Sequence, residues 1–135
     1  MLYEKILVPI DGSEHSKRAL KEAIEVAKMT GGAITLLNVT QSGSSSMQPE
    51  SEMTPNKEKS VLSEGQKLAE THGILVKTLL LKGKIVDQII KTAREGHFDL
   101  IVVGARGLSK LEEIMLGSVS HGVTENATCP VIVTR

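Results

Sequence analysis

Residues 100–120 read LIVVGARGLSKLEEIMLGSVS, an apolar run with a glycine at its end and a Gly-Ser pair further on. The run Leu100–Val103 predicts a buried strand that ends at Gly104, and Gly117-Ser118 opens a segment with helical spacing. Glycines at the carboxyl end of a strand, followed by a hydroxyl-rich helix start, suit the binding of phosphate oxygens by backbone N–H groups. The stretch therefore predicts a nucleotide-binding domain.

A second strand-to-helix turn lies near the amino terminus. The run Lys5–Ile10 predicts a short buried strand, and the turn residues Asp11-Gly12-Ser13 follow it. Apolar residues then recur at three- and four-residue steps from Ala19 to Ala27, as in an amphipathic helix, and Ser13 is placed to cap that helix. The same residues are also compatible with a turn and a helix cap that bind nothing.

The rest of the chain alternates strand and helix patterns. Further strands are predicted at 33–39, 74–81, 99–103 and 131–134, and further helices at 57–72, 84–95 and 118–126. Residues 41–56, rich in serine and poor in apolar side chains, predict a mobile loop or lid. The alternation predicts one α/β domain over 1–135, with a parallel sheet and right-handed crossovers. The turn at residues 11–13 and the glycine segment that begins at Gly104 would meet in one crevice if strands one and four are neighbours. Hydrophobic periodicity alone leaves that strand order open.

The composition narrows the classes of partner. Lysine plus arginine and aspartate plus glutamate number 16 each, so the formal net charge is zero, and we expect neither a nucleic-acid nor a membrane partner. Apolar residues make up 40% of the sequence and are mainly aliphatic, which suits an interior parallel sheet. Cys129 has no second cysteine to pair with, and no apolar run approaches the roughly 20 residues of a membrane span. We expect no secretory segment and a cytoplasmic protein.

The glycine pattern differs from two common phosphate motifs and matches a third. It lacks the Gly-Lys-Ser/Thr of a Walker A loop, and no GxGxxG follows the first strand. The spacing Gly-x2-Gly-x9-Gly-Ser, from Gly104 to Ser118, resembles the ATP-binding motif of the universal stress protein family. The segments ILVPIDGS at 6–13 and CPVIV at 129–133 resemble the first and last strands of the same family.

This resemblance covers essentially the whole chain and implies a fold and a ligand. The fold is a three-layer, doubly wound, five-stranded parallel sheet in the order 3-2-1-4-5, the adenine nucleotide alpha hydrolase-like fold. The cofactor that the resemblance implies is ATP, or AMP or ADP, with magnesium or manganese carried by the phosphates. By the same resemblance, Asp11 hydrogen-bonds the ribose, Pro9 and Ile10 line the base pocket, and Val39 presents backbone groups to the adenine edge.

The resemblance places the remaining contacts mainly on the glycine pattern. Gly104, Arg106 and Gly107 are expected to wrap the ribose and phosphates. The phosphate tail is assigned to Gly117, Ser118, Val119 and Ser120, and the predicted site also includes Gly12, Ser13 and Val103. Two of these residues are also compatible with roles that involve no ligand. Arg106 also suits a solvated cation in a loop, and Ser118 is at least a helix cap.

The histidines do not predict a metal site. His15, His72, His97 and His121 lack the spacing of metal ligands, and His121 with Glu125 predicts a surface pair. His15 follows the first turn, where it either approaches the phosphates or is an ordinary surface residue. A divalent ion would therefore arrive bound to the phosphates.

Three functions are compatible with the sequence. The first is an ATP-binding, nucleotide-responsive regulator in a stress response. The phosphate-binding glycine motif is complete, whereas the sequence spacing does not indicate that Glu112 or Glu113 would position a water molecule for ATP hydrolysis. The second is a slow ATPase, or a protein that phosphorylates itself on Ser13, Ser118 or Ser120. The third is a structural dimer that uses no nucleotide. Strand 131–134 is an apolar edge that favours homodimerisation, and a regulatory protein partner is expected but not identified.

Overall fold

The computed structural model describes residues 3–40, 54–105 and 117–135, and of residues 54–58 it describes the helical backbone alone. In these ranges strands and helices alternate: β1 (Lys5–Pro9), α1 (Glu14–Thr30), β2 (Ala33–Thr40), α2 (Thr54–Thr71), β3 (Val76–Lys82), α3 (Ile85–Glu95), β4 (Leu100–Gly104), α4 (Ser118–Asn126) and β5 (Val131–Thr134). The strands pair in parallel in the order β3-β2-β1-β4-β5. The expected α/β class and strand order are confirmed.

Helices cover both faces of the sheet. Ile6 and Val8 of β1 pack in one core cluster with residues of α1 and α2, whereas Leu7 packs in a second cluster with residues of α3 and α4. All three side chains are fully buried, which explains why the central strand is a continuous apolar run rather than an alternating one. The three-layer, doubly wound architecture is confirmed.

α1 shows the amphipathic pattern that its sequence predicts. Its Ala19, Leu20 and Ile24 are buried against the sheet, and the helix ends at Gly31, which adopts the left-handed φ of +78°. None of the helices in the three described ranges combines the length and the apolar content that crossing a bilayer requires.

α2 begins three residues earlier than predicted. The sequence pattern predicts a loop that includes residues 54–56, but the helix begins at Thr54. Pro55 is compatible with this start because the first-turn N–H groups of a helix have no intrahelical acceptor. Residues 41–53 of the predicted loop lie outside the described residues.

β3 begins two residues later than predicted, at Val76. Gly73 adopts a left-handed φ of +78°, and the N–H of Ile74 donates back to the carbonyl of Ala69 at 3.2 Å. This bond belongs to the Schellman turn that ends α2, and Ile74 is buried there as the accompanying hydrophobic contact. Residues 74 and 75 therefore complete the helix end instead of starting the strand.

Candidate functional site

The pairing between β1 and β4 stops short of the carboxyl ends of both strands, which makes that point the candidate for a crevice. β1 pairs with β2 over all five of its residues, but with β4 only at Ile6 and Leu7. The N–H of Ile10 donates to the carbonyl of Leu37 on β2 at 2.8 Å, so by alternation the nitrogen of Pro9 faces β4, where proline has no hydrogen to donate. The two strands part at the point where the strand order reverses, which is where open α/β sheets bind ligands.

The turn after β1 is held by its own side chains. Asp11 Oδ1 accepts a hydrogen bond from the N–H of Ser13 at 2.9 Å, and Ser13 Oγ accepts one from the N–H of Ser16 at 3.2 Å, which confirms the predicted cap. Gly12 adopts φ +87°, a region that glycine enters without strain. Asp11 is exposed, and no donor from the described residues reaches its Oδ2. The turn is a helix cap and also presents a free carboxylate oxygen.

A buried amide that the sequence analysis did not select supports this turn. Asn38 of β2 is 6% exposed and donates from Nδ2 to the carbonyl oxygen of Ile10 at 2.8 Å. The available signal was an amide inside an apolar strand, because a buried polar side chain requires a hydrogen-bond partner. Asn38 thereby ties the end of β2 to the residue that precedes Asp11.

The expected base contacts lie at the same edge but not on the same face of the sheet. The side chain of Ile10 is buried in the α1–α2 layer, whereas Val39 packs toward the α3–α4 layer and is half-buried, as is Pro9. Ile10 can therefore border the crevice through its backbone, while Pro9 and Val39 keep accessible surface there.

Gly104 lets the first turn of α1 lie directly on β4. A Cβ atom built on Gly104 would come within 2.7 Å of the backbone C and O atoms of His15. The preceding Val103 is a core residue, 4% exposed. The following Ala105 donates its N–H to the carbonyl of Thr134 on β5 at 2.7 Å. The end of β4 is thus in contact with the start of α1 and with the end of β5.

The start of α4 is attached to the same point. The N–H of Gly117, the N-cap residue, donates to Ala105 O at 2.6 Å, and the buried Ser120 donates from Oγ to the same oxygen at 2.8 Å. Ser118 is exposed and Val119 is half-buried. No side chain within the described residues caps α4, and its first-turn N–H groups have no acceptor inside the helix. This helix terminus carries the positive end of the helix dipole at the carboxyl edge of the sheet.

The structure therefore brings three expected regions to one edge: the turn after β1, the end of β4 and the start of α4. Two expected contacts, Arg106 and Gly107, lie outside the described residues, as do Glu112 and Glu113. The Ser120 hydroxyl, expected near the phosphate tail, is engaged with Ala105 O.

The described residues offer no assembly of three or more His, Cys, Asp or Glu side chains that could hold a metal ion. His121 and Glu125 form an exposed pair with 4.0 Å between Nε2 and Oε2. Burial raises the pKa of the half-buried Cys129 thiol, and the Asp99 carboxylate raises it further, so this thiol stays protonated at neutral pH.

Comparison with known proteins identifies relatives over the full length of the chain. The model of the "Universal stress protein family" matches residues 2–135. The universal stress protein MJ0531 of Methanocaldococcus jannaschii is 35% identical over 141 residues, which cover 99% of this chain and 83% of that protein.

Two solved structures share the fold. The structure of MJ0577 from the same organism superimposes with a TM-score of 0.88 at 30% identity, over 99% of this chain and 96% of that chain. The universal stress protein from Archaeoglobus fulgidus in complex with dAMP has a TM-score of 0.78 at 25% identity, over 100% of both chains. With a family match over nearly every residue and a relative of such identity, this chain belongs to the universal stress protein family.

Proposed function

We propose that this chain binds an adenine nucleotide, ATP in particular, in the crevice between β1 and β4 and acts as a nucleotide-responsive regulator in a stress response. One observation carries the proposal: the exposed carboxylate of Asp11 lies at the same edge of the sheet as the start of α4, which no side chain of the described residues caps. A carboxylate accepts hydrogen bonds from ribose hydroxyls, and a helix start binds polyanions. The dAMP complex of the Archaeoglobus fulgidus relative supports an adenine nucleotide as the ligand.

The described residues fit such a ligand. Asp11 Oδ2 is available to the ribose, and the half-buried Pro9 and Val39 border the space for a base. Gly117 has no side chain to occupy the phosphate position, and the first-turn N–H groups of α4 that follow it have no acceptor inside the helix, so they suit donation to phosphate oxygens. Arg106 and Gly107 complete the proposed contacts through the family resemblance alone.

We also propose that magnesium or manganese enters on the phosphates. A small divalent ion keeps several water ligands and takes phosphate oxygens in nucleotide sites, so it does not require a protein cluster. In this arrangement the chain binds and orients the nucleotide, and none of its described residues is assigned a catalytic role.

The proposed response to the nucleotide runs through the elements that meet at Ala105. This residue bonds to α4 through Gly117 and Ser120 and to β5 through Thr134. β5 is an edge strand whose residues 131–134 are half-buried, and pairing with a second copy along this strand would cover it. A homodimer, a regulatory protein partner and a cytoplasmic location complete the proposal.

Titration calorimetry with ATP, AMP and dAMP, with and without magnesium, tests this function. Gly117→Glu should abolish binding, because the carboxylate would occupy the phosphate position, while Gly117→Gln controls for side-chain size without the charge. Circular dichroism of both variants checks that they fold. Absence of heat with every adenylate at millimolar concentration would contradict the proposal and favour a structural dimer without nucleotide.

Self-phosphorylation is the second candidate, and the exposure of Ser118 favours one acceptor. Of the three serines considered, Ser118 is exposed at the start of α4, Ser120 is 1% exposed, and Ser13 Oγ accepts the helix-capping bond. The γ-phosphoryl group would move from ATP to Ser118 Oγ, the hydroxyl proton would pass to solvent, and ADP would leave. Mass spectrometry after incubation with Mg-ATP should show added phosphate in the wild type and none in Ser118→Ala. An unmodified wild type would remove this candidate.

A further inference from the structure

Two buried polar atoms have no hydrogen-bond partner among the described residues: Nδ1 of His15 and Oγ1 of Thr134. They belong to different elements, the first turn of α1 and the last residue of β5. Buried polar side chains are nearly always hydrogen-bonded to protein or to ordered water, so each exception requires a physical explanation. That both exceptions flank the same residue, Gly104, suggests one explanation for the two.

The sheet register places Thr134 beside Gly104. The two residues are direct partners in the β4–β5 pairing, so their side-chain positions lie on the same face of the sheet. Ile132 packs in the cluster formed with α1 and α2, whereas Val131 and Val133 pack in the opposite cluster. By alternation along the strand, the side chain of Thr134 lies on the α1 face.

The close approach of α1 places His15 directly over Gly104, on that same face of the sheet. A Cβ atom built on Gly104 would lie 2.9 Å from Cβ of His15. Because neighbouring strands lie about 4.8 Å apart, the Cβ atoms of His15 and Thr134 are within about 8 Å of each other. An imidazole, a hydroxyl and one bridging water molecule are together long enough to cover that distance.

We propose that His15 Nδ1 and Thr134 Oγ1 are joined by hydrogen bonds through one bridging water molecule, and that this link makes His15 a positioning residue for the nucleotide site. The second half of this inference rests on the function proposed above. The link fixes the first turn of α1 over the end of β4. That turn carries the cap residue Ser13, whose N–H is bonded to Asp11, so the link sets where the ribose acceptor lies relative to α4. Either imidazole tautomer serves, because a hydroxyl both donates and accepts.

Paired substitutions at Thr134 test the link. Thr134→Val keeps the shape and removes the hydroxyl, whereas Thr134→Ser keeps the hydroxyl. We expect Thr134→Val to weaken ATP binding by about threefold to tenfold, the effect of one lost hydrogen bond, and Thr134→Ser to bind like the wild type. Thr78→Val, the same change at an exposed position on the opposite edge strand β3, is the matched control and should leave affinity unchanged. Equal affinities for the Val and Ser variants at Thr134 would overturn the proposal.

Rescue at His15 tests the same link from the other side. His15→Asn places a polar group near the position of Nδ1 and should retain more affinity than His15→Leu. In the double variant His15→Leu/Thr134→Val, affinity should be no lower than in the weaker of the two single variants, because both remove the same bond. If the fold-loss in affinity of the double variant equals the product of the two single losses, the two side chains act independently and the link is contradicted.

A measurement without nucleotide separates this proposal from the proposed function. Urea unfolding of the wild type, both single variants and the double variant should give the same non-additive pattern in the midpoint. If the wild type binds no adenylate, the proposed function is contradicted, while the double-variant comparison in urea still decides whether the link exists. If the wild type binds an adenylate and the effects of the two substitutions on the urea midpoint are additive, the link is contradicted and the proposed function stands.

Discussion

The hydroxyl of Ser120 donates a 2.8 Å hydrogen bond to the carbonyl oxygen of Ala105, which is also the acceptor of the N–H of Gly117. One oxygen at the end of β4 therefore holds the start of α4 through two bonds. Since Ala105 also donates its N–H to β5, the two halves of the glycine pattern are anchored to the sheet at a single residue. The buried serine is thus part of the frame of the site.

Replacing Ser120 with alanine should therefore lower stability more than it lowers nucleotide affinity. We expect a loss of about 1–2 kcal/mol in the free energy of unfolding, because one of the two bonds to a buried carbonyl is removed. Urea denaturation followed by circular dichroism measures it, and Ser118→Ala, at an exposed position, should change stability by less than about 0.5 kcal/mol. Unchanged stability of Ser120→Ala with lost ATP binding would instead make the hydroxyl a direct ligand contact.

Asn38→Leu should destabilise the protein through the turn after β1. The substitution leaves the carbonyl of Ile10 without the 2.8 Å bond from Asn38 Nδ2, and an unsatisfied buried carbonyl costs about 1–3 kcal/mol. Asn126→Ala is the control, since Asn126 is an exposed amide that bonds a helix-end carbonyl, and we expect a change below about 0.5 kcal/mol. Thermal unfolding of the two variants in parallel distinguishes them. Equal melting temperatures would show that Asn38 does not support the turn.

A substitution at Asp11 should lower the affinity for ATP while leaving the stability of the protein nearly unchanged. Asp11→Asn keeps an oxygen that can accept the 2.9 Å bond from the N–H of Ser13, so stability should stay within about 0.5 kcal/mol of the wild type. Its affinity for ATP should fall about tenfold, because hydrogen bonds from ribose hydroxyls to a charged carboxylate become bonds to a neutral amide. Calorimetric titration checks this. A variant that binds ATP as tightly as the wild type would place the ribose elsewhere.

Gly104→Ala should be costly because its neighbour is backbone. The new methyl group would lie 2.7 Å from the C and O atoms of His15, and displacing a helix turn costs about 1–3 kcal/mol. Gly31→Ala is the comparison: no atom lies within 4 Å of the added carbon, and only the φ of +78° opposes it, at a cost of about 1 kcal/mol. Differential scanning calorimetry ranks the two. A more stable Gly104→Ala would refute the close packing of α1 on β4.

The local signals in the sequence predicted most of the fold because their causes are local. Hydrophobic periodicity located the strands and helices, and Ser13 and Gly31 marked the two ends of α1. The errors came from helix ends: Thr54 begins α2 earlier than its polar surroundings suggested, and Ile74 completes a helix end although it reads as a strand residue. Both positions depend on backbone bonds that composition does not report.

The sequence by itself determined the parallel α/β class, the element order and the two glycine-bearing turns, because side-chain periodicity and glycine conformation act over a few residues. The strand order was not among these, and it was the family resemblance that implied it. Only the tertiary structure decided that the pairing of β1 with β4 ends after Leu7, that Asn38 and Ser120 are internal supports, and that His15 and Thr134 both adjoin Gly104. These relationships join residues that are distant in the chain, and they follow from how strands and helices pack and from which polar atoms that packing removes from water.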